Sequence, residues 1–225
     1  MLIAQNLTEI KSQLPKQVTL VAVSKTKPVA DLMEAYNAGQ RIFGENKIQE
    51  MTDKWEVMPK DIEWHMIGHV QTNKVKYMAP YVSLIHGVDS LKLLQEINKQ
   101  AAKNNRVIDC LLQVYIAEEE SKFGLDEQEL EEMLNKLLDS ARSDNKTLKN
   151  IRIVGLMGMA TFTENKDQIE KESKHLKTIF DKHKTLNTEH CQLNTLSMGM
   201  SGDYQLAISC GSTMVRIGSS IFGSR

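Results

Sequence analysis

The sequence is poor in the residues that mark secreted frameworks and interdomain linkers. Its 225 residues include only three cysteines, four prolines and twelve glycines. Cys110, Cys191 and Cys210 are odd in number and far apart, which excludes a disulfide framework and a CxxC site and indicates a reducing compartment. The prolines and glycines form no cluster that would mark a linker. We therefore expect a single domain that spans residues 1–225.

Neither sign of charge dominates the chain. Lys and Arg number 28 against 29 for Asp and Glu, so the formal net charge is −1 and there is no overall basic field to hold a nucleic acid. No apolar run approaches the ~20 residues that a membrane helix needs. The N-terminal MLIAQNLTEIKSQLPK lacks the basic start and the cleavage site of a signal peptide. We expect a soluble, cytoplasmic monomer that binds neither nucleic acid nor membrane.

Short β-branched runs alternate with segments of helical period along the chain. The predicted strands are Val18–Ser24, Arg41–Phe43, Glu63–Ile67, Val82–His86, Val107–Tyr115, Ile151–Met157, Thr195–Met198 and Met214–Ile217. The predicted helices are Val29–Ala38, Lys47–Val57, Thr72–Met78, Ser90–Asn104, Glu127–Leu138, Lys166–Leu186 and Asp203–Ala207. About eight strands in such an alternation predict an α/β fold, a single (β/α)8 barrel. Leu2–Leu14, apolar at helical spacing, predicts an extra N-terminal helix outside the barrel.

A doubly wound open sheet is the alternative fold for this alternation. Its dinucleotide-binding form needs a glycine-rich turn after the first strand. The corresponding turn here has the sequence SKTKP at 24–28 and contains no glycine. We therefore favour the barrel, in which functional side chains gather at the C-terminal ends of the strands.

Lys25 stands where the first predicted strand reaches that end of the barrel. Its side chain would leave bulk water at the mouth, which disfavours the charged ammonium. Lys27, on the same side by period two, would add like-charge repulsion. A neutral amine attacks carbonyls and suits a Schiff base. A solvated lysine pair at the start of a loop is the alternative interpretation.

The segment GSTMVRIGSS at 211–220 runs from a buried-looking strand into a glycine and two serines. Backbone N–H groups at such a turn, with the hydroxyls of Ser219 and Ser201, can hold a phosphate, and barrels commonly bind phosphate after their last two strands. Arg216 shares a face with Gly218, so its guanidinium would lie inside the barrel and need an acceptor. A structural carboxylate such as Glu45 is the alternative partner.

These groups together fit pyridoxal 5′-phosphate. Its aldehyde would meet Lys25, its phosphate would meet Ser201, Gly218 and Ser219, and its ring nitrogen would meet Arg216. An arginine is always a donor, so it would leave the ring nitrogen unprotonated and the cofactor a weak electron sink.

A series of ordered blocks resembles the pyridoxal phosphate homeostasis protein family, whose barrel is similar to the N-terminal domain of alanine racemase. The blocks are AVSKTKP at 22–28, FGEN at 43–46, WHMIG at 64–68, QTNK at 71–74, GLM at 155–157, LSMGMS at 196–201, GSTMVRIG at 211–218 and IFG at 221–223. The resemblance implies a Schiff base between pyridoxal phosphate and Lys25, with the phosphate and ring contacts just described.

The resemblance also implies weaker roles for Asn46, His65 and Met198, which match positions that line the family's pocket. His69 and Val70 depart from the family, whose members often carry Pro-Leu there. The implied function is cofactor homeostasis without an established reaction, in which pyridoxal phosphate is buffered or delivered to dependent apoenzymes. Alanine racemase-like enzymes add a β-rich domain that helps complete the active site, and we expect this chain to lack it. A pyridoxal phosphate-dependent amino-acid racemase is the alternative function.

Two other motifs favour different chemistry, and both are incomplete. Gly199–Gly202 contains half of a nucleophile elbow, but His190 precedes Ser201, whereas that fold places its histidine after the serine. His65 and His69 have the i, i+4 spacing of a zinc helix without its glutamate or its helical context. We expect neither a serine hydrolase nor a metal site.

Overall fold

A closed barrel of parallel strands forms the centre of the computed structural model, which describes residues 2–118, 123–142 and 148–223. Its strands are β1 (Thr19–Val23), β2 (Ile42–Glu45), β3 (Glu63–Met66), β4 (Leu84–Val88), β5 (Ile108–Gln113) and β6 (Ile151–Met157), followed after a short β7 (Asn187–Thr188) by β8 (Cys191–Met200) and β9 (Met214–Ile217). Each barrel strand pairs with the next, and β9 pairs with β1 to close the ring. The predicted (β/α)8 barrel is confirmed.

Helices connect the strands around the outside of the barrel. They are α1 (Leu2–Gln13), α2 (Val29–Asn37), α3 (Ile48–Val57), α4 (Val75–Met78), α5 (Leu91–Lys103), α6 (Glu127–Arg142), α7 (Lys166–His183), α8 (Tyr204–Ser209) and α9 (Ser219–Phe222), with a 3₁₀ turn over Thr72–Lys74. The predicted N-terminal helix is α1, and it packs against α2 and α9. Within the described residues, no helix combines the length and the apolar character needed to cross a membrane.

Side-chain caps fix the starts of the two helices that flank β5. Ser90 Oγ accepts a hydrogen bond from the Leu93 N–H at 3.3 Å before α5. Asp126 Oδ1 accepts from the Glu129 N–H at 2.8 Å, and Glu129 Oε2 accepts from the Asp126 N–H at 3.0 Å before α6. This reciprocal arrangement is a capping box, which satisfies N–H groups that the first turn leaves without helical partners.

The structure differs from the sequence prediction around β8. The predicted strand began at Thr195 and the preceding helix ended at Leu186, whereas β8 begins at Cys191 and α7 ends at His183. In the early part of β8, buried Cys191 and Leu193 alternate with exposed polar residues, and β7 pairs with it antiparallel. The polar residues in this part of β8 have low strand propensity, so the sequence does not predict the extension. Pairing with the neighbouring strands overrides that weak propensity.

Two apolar clusters hold the elements in place. The larger lies between the barrel and its helices and contains Phe43, Trp64 and Leu94, all fully buried. The smaller joins interior residues of five strands, namely Val21, Leu84, Leu111, Met157 and Met214. Side chains of alternate residues thus fill both faces of each strand, so the barrel is a packed core and the strand ends are the place for a cavity.

Candidate functional site

A cavity of about 800 Å³ opens at the C-terminal ends of the barrel strands. Six of the eight predicted site residues line it together: Lys25, Asn46, Ser201, Arg216, Gly218 and Ser219. They come from the ends of β1, β2, β8 and β9, which are far apart in the sequence and adjacent in the ring. Closing the barrel therefore brings an amine, an amide, two hydroxyls and a guanidinium to one place.

The turn that carries Lys25 has a strained backbone and is held by hydrogen bonds from α3. Thr26, the next residue, has a φ of +64°, which a β-branched residue rarely adopts and which costs of order 1 kcal/mol or more. Its N–H donates to Oε1 of Glu50 at 2.6 Å, and Nζ of Lys54 donates to the Ser24 carbonyl at 2.8 Å. Both anchors come from α3, so that helix fixes the direction in which Lys25 leaves β1.

A buried ion cluster forms the base of this anchor. Nζ of Lys54 lies 2.7 Å from Oε1 of Glu45 and 2.7 Å from Oε1 of Glu50, and Ser24 Oγ donates to Glu45 Oε1 at 2.6 Å. Burial raises the pKa of the Glu45 carboxyl, and the hydrogen bond and charge of Lys54 act against that rise. The cluster engages Glu45 with Lys54, so the alternative pairing of Glu45 with Arg216 is wrong.

The turns after β8 and β9 meet through one hydrogen bond. Ser201 Oγ accepts from the Gly218 N–H at 3.1 Å, so both predicted phosphate-holding turns face the same part of the cavity. A Cβ built on Gly218 would lie 3.1 Å from the Val23 carbonyl oxygen, a tight approach to the end of β1. Glycine therefore lets this turn lie against the strand that carries Lys25.

Arg216 lies beside the cavity with its charge buried. It is 4% exposed, and its guanidinium donates to Ser197 Oγ at 2.5 Å and to the Gly158 carbonyl at 3.0 Å. In the described part of the chain no carboxylate forms an ion pair with it. Burial lowers the pKa of Arg216 to about 10, so it stays charged at neutral pH. Its two hydrogen-bond acceptors are neutral, and the charge of Asp203, which also lines the cavity, opposes the fall in the pKa of Arg216.

Two of the predicted site residues, His65 and Met198, do not line this cavity. His65 is 3% exposed inside the barrel, where it lines a separate cavity of about 400 Å³ at the opposite end, and its Nδ1 is 3.1 Å from His86 Nε2. Met198 packs into the cluster between barrel and helices. Its neighbour Ser197 faces the interior, so strand alternation turns Met198 outward. The register with β9 shifts between Ser197 and Met200, which interrupts the alternation, and Met200 lines the cavity.

Sequence reasoning missed the residues that the longer loops contribute to the cavity. Phe123 follows β5, and Thr161 and Phe162 follow β6; all three line the cavity, and Phe162 is 87% exposed. At the rim, the ring of His69 stacks on Phe123 with 5.0 Å between centroids, and its Nδ1 lies 3.4 Å from Asp89 Oδ2. No motif marks these loop positions, and the signal that the sequence offers is a phenylalanine at 162 within the polar segment that follows β6.

Comparison with known proteins identifies the family. The family model described as "Alanine racemase, N-terminal domain" matches residues 2–225. The pyridoxal phosphate homeostasis protein of Aquifex aeolicus is 40% identical over 208 residues, which cover 92% of this chain and 86% of that protein. This chain belongs to the pyridoxal phosphate homeostasis protein family. The family member of Escherichia coli strain K12 is 36% identical over 238 residues, with 99% of this chain and 97% of that protein covered.

Solved structures agree with this membership in the family. PipY of Synechococcus elongatus PCC7942, solved with pyridoxal phosphate bound, superposes with a TM-score of 0.86 at 34% identity and covers 98% of this chain and 100% of that one. An alanine racemase from E. faecalis superposes with a TM-score of 0.74 at 14% identity, with 99% of this chain and 58% of the racemase covered. The racemase is related to this family member in fold.

Proposed function

We propose that this family member binds pyridoxal 5′-phosphate in the cavity at the C-terminal ends of its strands. Lys25 holds the aldehyde end, Ser201, Gly218 and Ser219 hold the phosphate, and Arg216 faces the ring nitrogen. The observation that carries the proposal is the meeting of these side chains in one cavity, in a chain 34% identical to a protein solved with this cofactor.

The donor set fits the group. Lys25 lines one cavity with the Ser201–Gly218 turn, whose hydroxyl and backbone groups suit an anion. The buried guanidinium of Arg216 donates to two neutral acceptors and, as a permanent donor, suits a ring nitrogen that accepts a hydrogen bond. When bound, the cofactor supplies an aldehyde that condenses with a primary amine with loss of water.

Several residues around the cavity position the side chains that we propose to bind pyridoxal phosphate. The α3 anchors at Ser24 and Thr26 orient Lys25 before any ligand arrives, which reduces the entropy lost on binding. Lys27 Nζ donates to the Phe222 carbonyl at 3.0 Å, which holds this second amine at the end of α9. Asn46 lines the same cavity beside Lys25. We assign the covalent attachment to Lys25, because it ends β1 beside the Ser201–Gly218 turn and the α3 anchors on both sides fix its backbone.

We further propose that the protein buffers the cofactor and delivers it to dependent apoenzymes, as a cytoplasmic monomer, without catalysing a reaction of its own. Arg216 supports the buffering role, because a permanent donor keeps the ring nitrogen unprotonated and makes the cofactor a weaker electron acceptor. The three cysteines are free and buried, which supports a reducing compartment.

Borohydride reduction followed by peptide mass spectrometry tests the assignment. Wild-type protein incubated with pyridoxal phosphate should gain one reduced adduct, located on the peptide that contains Lys25. The Lys25→Ala variant should lose it, whereas Lys99→Ala, which removes an exposed lysine on α5, should retain it. A full adduct in Lys25→Ala would overturn the assignment.

Hydrogen exchange separates buffering from catalysis. Loaded protein is incubated in deuterated water with free amino acids, and deuterium at Cα is measured. Turnover beyond the amount of protein would support the racemase instead. Incorporation no greater than that of free pyridoxal phosphate supports buffering.

A further inference from the structure

A line of buried polar side chains crosses the barrel interior beneath the cavity. Arg216 Nη1 donates to Ser197 Oγ at 2.5 Å, Ser197 Oγ lies 3.2 Å from His86 Nδ1, and His86 Nε2 lies 3.1 Å from His65 Nδ1. Arg216 lines the upper cavity and His65 lines the lower one. All four side chains are buried, so the line links the two ends of the barrel through its core.

The arginine fixes the direction of the first hydrogen bond in this line, and the requirement that every buried donor has an acceptor fixes the others. A guanidinium cannot accept, so Ser197 Oγ accepts from Arg216. The hydroxyl hydrogen of Ser197 then has His86 Nδ1 as its acceptor among the described residues. His86 consequently carries its hydrogen on Nε2 and donates to His65 Nδ1, which places the hydrogen of His65 on its own Nε2. This assignment follows from the bonding pattern and uses each facing atom once.

Both histidines are neutral in this arrangement. Burial lowers the pKa of His65 to about 3, and burial, with repulsion from Arg216 and from any proton on His65, lowers the pKa of His86. A proton added to His86 would occupy Nδ1, leave the Ser197 hydroxyl without its acceptor and place a second positive charge near Arg216. The line therefore has one stable pattern, in which donors point away from the upper cavity.

We propose that His86 and His65 are positioning residues that hold the Arg216 guanidinium as a fixed donor toward the ring nitrogen of the bound cofactor. Because His86 Nδ1 binds the hydroxyl hydrogen, the Ser197 lone pair stays turned toward Arg216. Without that acceptor the hydroxyl can rotate its hydrogen toward the guanidinium, and Arg216 keeps only the Gly158 carbonyl. The inference rests on the proposed binding of pyridoxal phosphate.

The hydrogen-bond pattern is tested first in the protein without cofactor. In isotope-labelled histidine NMR spectra, His65 and His86 should both show the Nε2–H tautomer and remain neutral from about pH 8 to about pH 5, where an ordinary histidine titrates. A hydrogen on Nδ1 of His86, or a titration of either ring near its ordinary pKa, would overturn the line. This measurement does not depend on the cofactor.

The positioning role is tested with two substitutions of one residue. His86→Leu removes the acceptor, whereas the amide oxygen of His86→Gln can replace Nδ1 as an acceptor and its NH₂ can donate to His65. We expect the Kd for pyridoxal phosphate to rise about tenfold in His86→Leu, the loss typical of a hydrogen bond to a charged group, and to recover substantially in His86→Gln. Leu84→Val, two residues away in the interior cluster, should leave the Kd unchanged.

A spectroscopic measurement separates positioning from packing. With isotope-labelled cofactor bound, the ring-nitrogen NMR signal of wild type should show an unprotonated acceptor, and it should shift in His86→Leu but not in Leu84→Val. His65→Leu, which contacts Arg216 only through the line, should shift it in the same direction and decides the question if His86→Leu does not fold. Unchanged signal and Kd in the folded variants would overturn the proposal. Failure of the proposed function is distinct, because then wild type would form no reduced adduct on Lys25.

Discussion

Lys54 Nζ and Glu45 Oε1 lie 2.7 Å apart, both buried, directly behind the turn that presents Lys25. Lys54 also donates to the Ser24 carbonyl, so a charge pair within the protein is bonded to the backbone of the residue that precedes Lys25. A pair in this position connects two properties that are often separate, since it contributes to stability and it orients the site.

Removing the ammonium from this pair should be costly. In Lys54→Met the carboxylate of Glu45 stays buried without its partner, and the free energy of unfolding should fall by about 3–5 kcal/mol. Lys99→Met, which removes an exposed lysine with an i, i+3 partner, should change it by less than about 0.5 kcal/mol. Urea denaturation of the two variants makes the comparison. Equal small losses would mean that Lys54 does not stabilise the turn.

Gly68 and Gly202 both line the cavity and differ in the space around them. A Cβ on Gly68 would lie 2.5 Å from the Asn46 carbonyl oxygen, whereas a Cβ on Gly202 would have nothing within 4 Å. Gly68→Ala should therefore displace the backbone of Asn46, lower the free energy of unfolding by about 1–3 kcal/mol and weaken cofactor binding. Gly202→Ala is the matched control, and similar melting temperatures for the two variants would contradict the prediction.

The two interior histidines make stability depend on pH. In the unfolded chain they take up protons near pH 6.5, whereas burial lowers the pKa of His65 to about 3 and also lowers that of His86. The unfolded state then binds more protons below about pH 6.5, so the free energy of unfolding falls as pH falls, by up to about 1.4 kcal/mol per pH unit for each histidine. Urea denaturation between about pH 7 and pH 5 should show this slope reduced in His86→Leu. An identical slope in the variant would contradict the assignment.

Met198 and Met200 should respond differently to truncation, although both come from the end of β8. Met198→Ala removes packing from the main core and should cost about 2–5 kcal/mol of stability with little direct effect on cofactor affinity in the folded protein. Met200→Ala should cost less than about 1 kcal/mol and raise the Kd for pyridoxal phosphate. Thermal unfolding and absorbance titration of both variants check the contrast, and the reverse pattern would place Met198 in the site.

The barrel was predictable because its strands are buried on both faces and stand out as short β-branched runs. Val18–Ser24 and Ile151–Met157 illustrate such runs, and they match β1 and β6 within a residue or two. The first part of β8 was not predictable, because Gln192 and Asn194 reduce its apolar character and only pairing with neighbouring strands makes it regular. Element type followed from local sequence, whereas that boundary depended on tertiary context.

The sequence predicted which residues follow the strands at the mouth of the barrel. It could not predict how far along the barrel axis each side chain lies. Lys25, Ser201 and Gly218 follow their strands and line the cavity. His65 lies within β3, so its ring enters the interior below the cavity. Alternation alone indicates a face of the strand, while the distance along the barrel axis depends on stagger between strands, which emerges only when the ring is closed.

Pairing of β1 with β9 joins opposite ends of the sequence, with Thr19 opposite Met214 and Ala22 opposite Ile217. This contact is the most non-local in the ring, and such pairings form slowly because a long loop loses entropy first. Lys25 after β1 and the turn after β9 that we propose for the phosphate therefore come together only when this pairing closes the barrel. During refolding, binding of pyridoxal phosphate would therefore report the fraction of closed barrels. An intermediate without the β1–β9 pairing would offer only the groups on one side of that pairing.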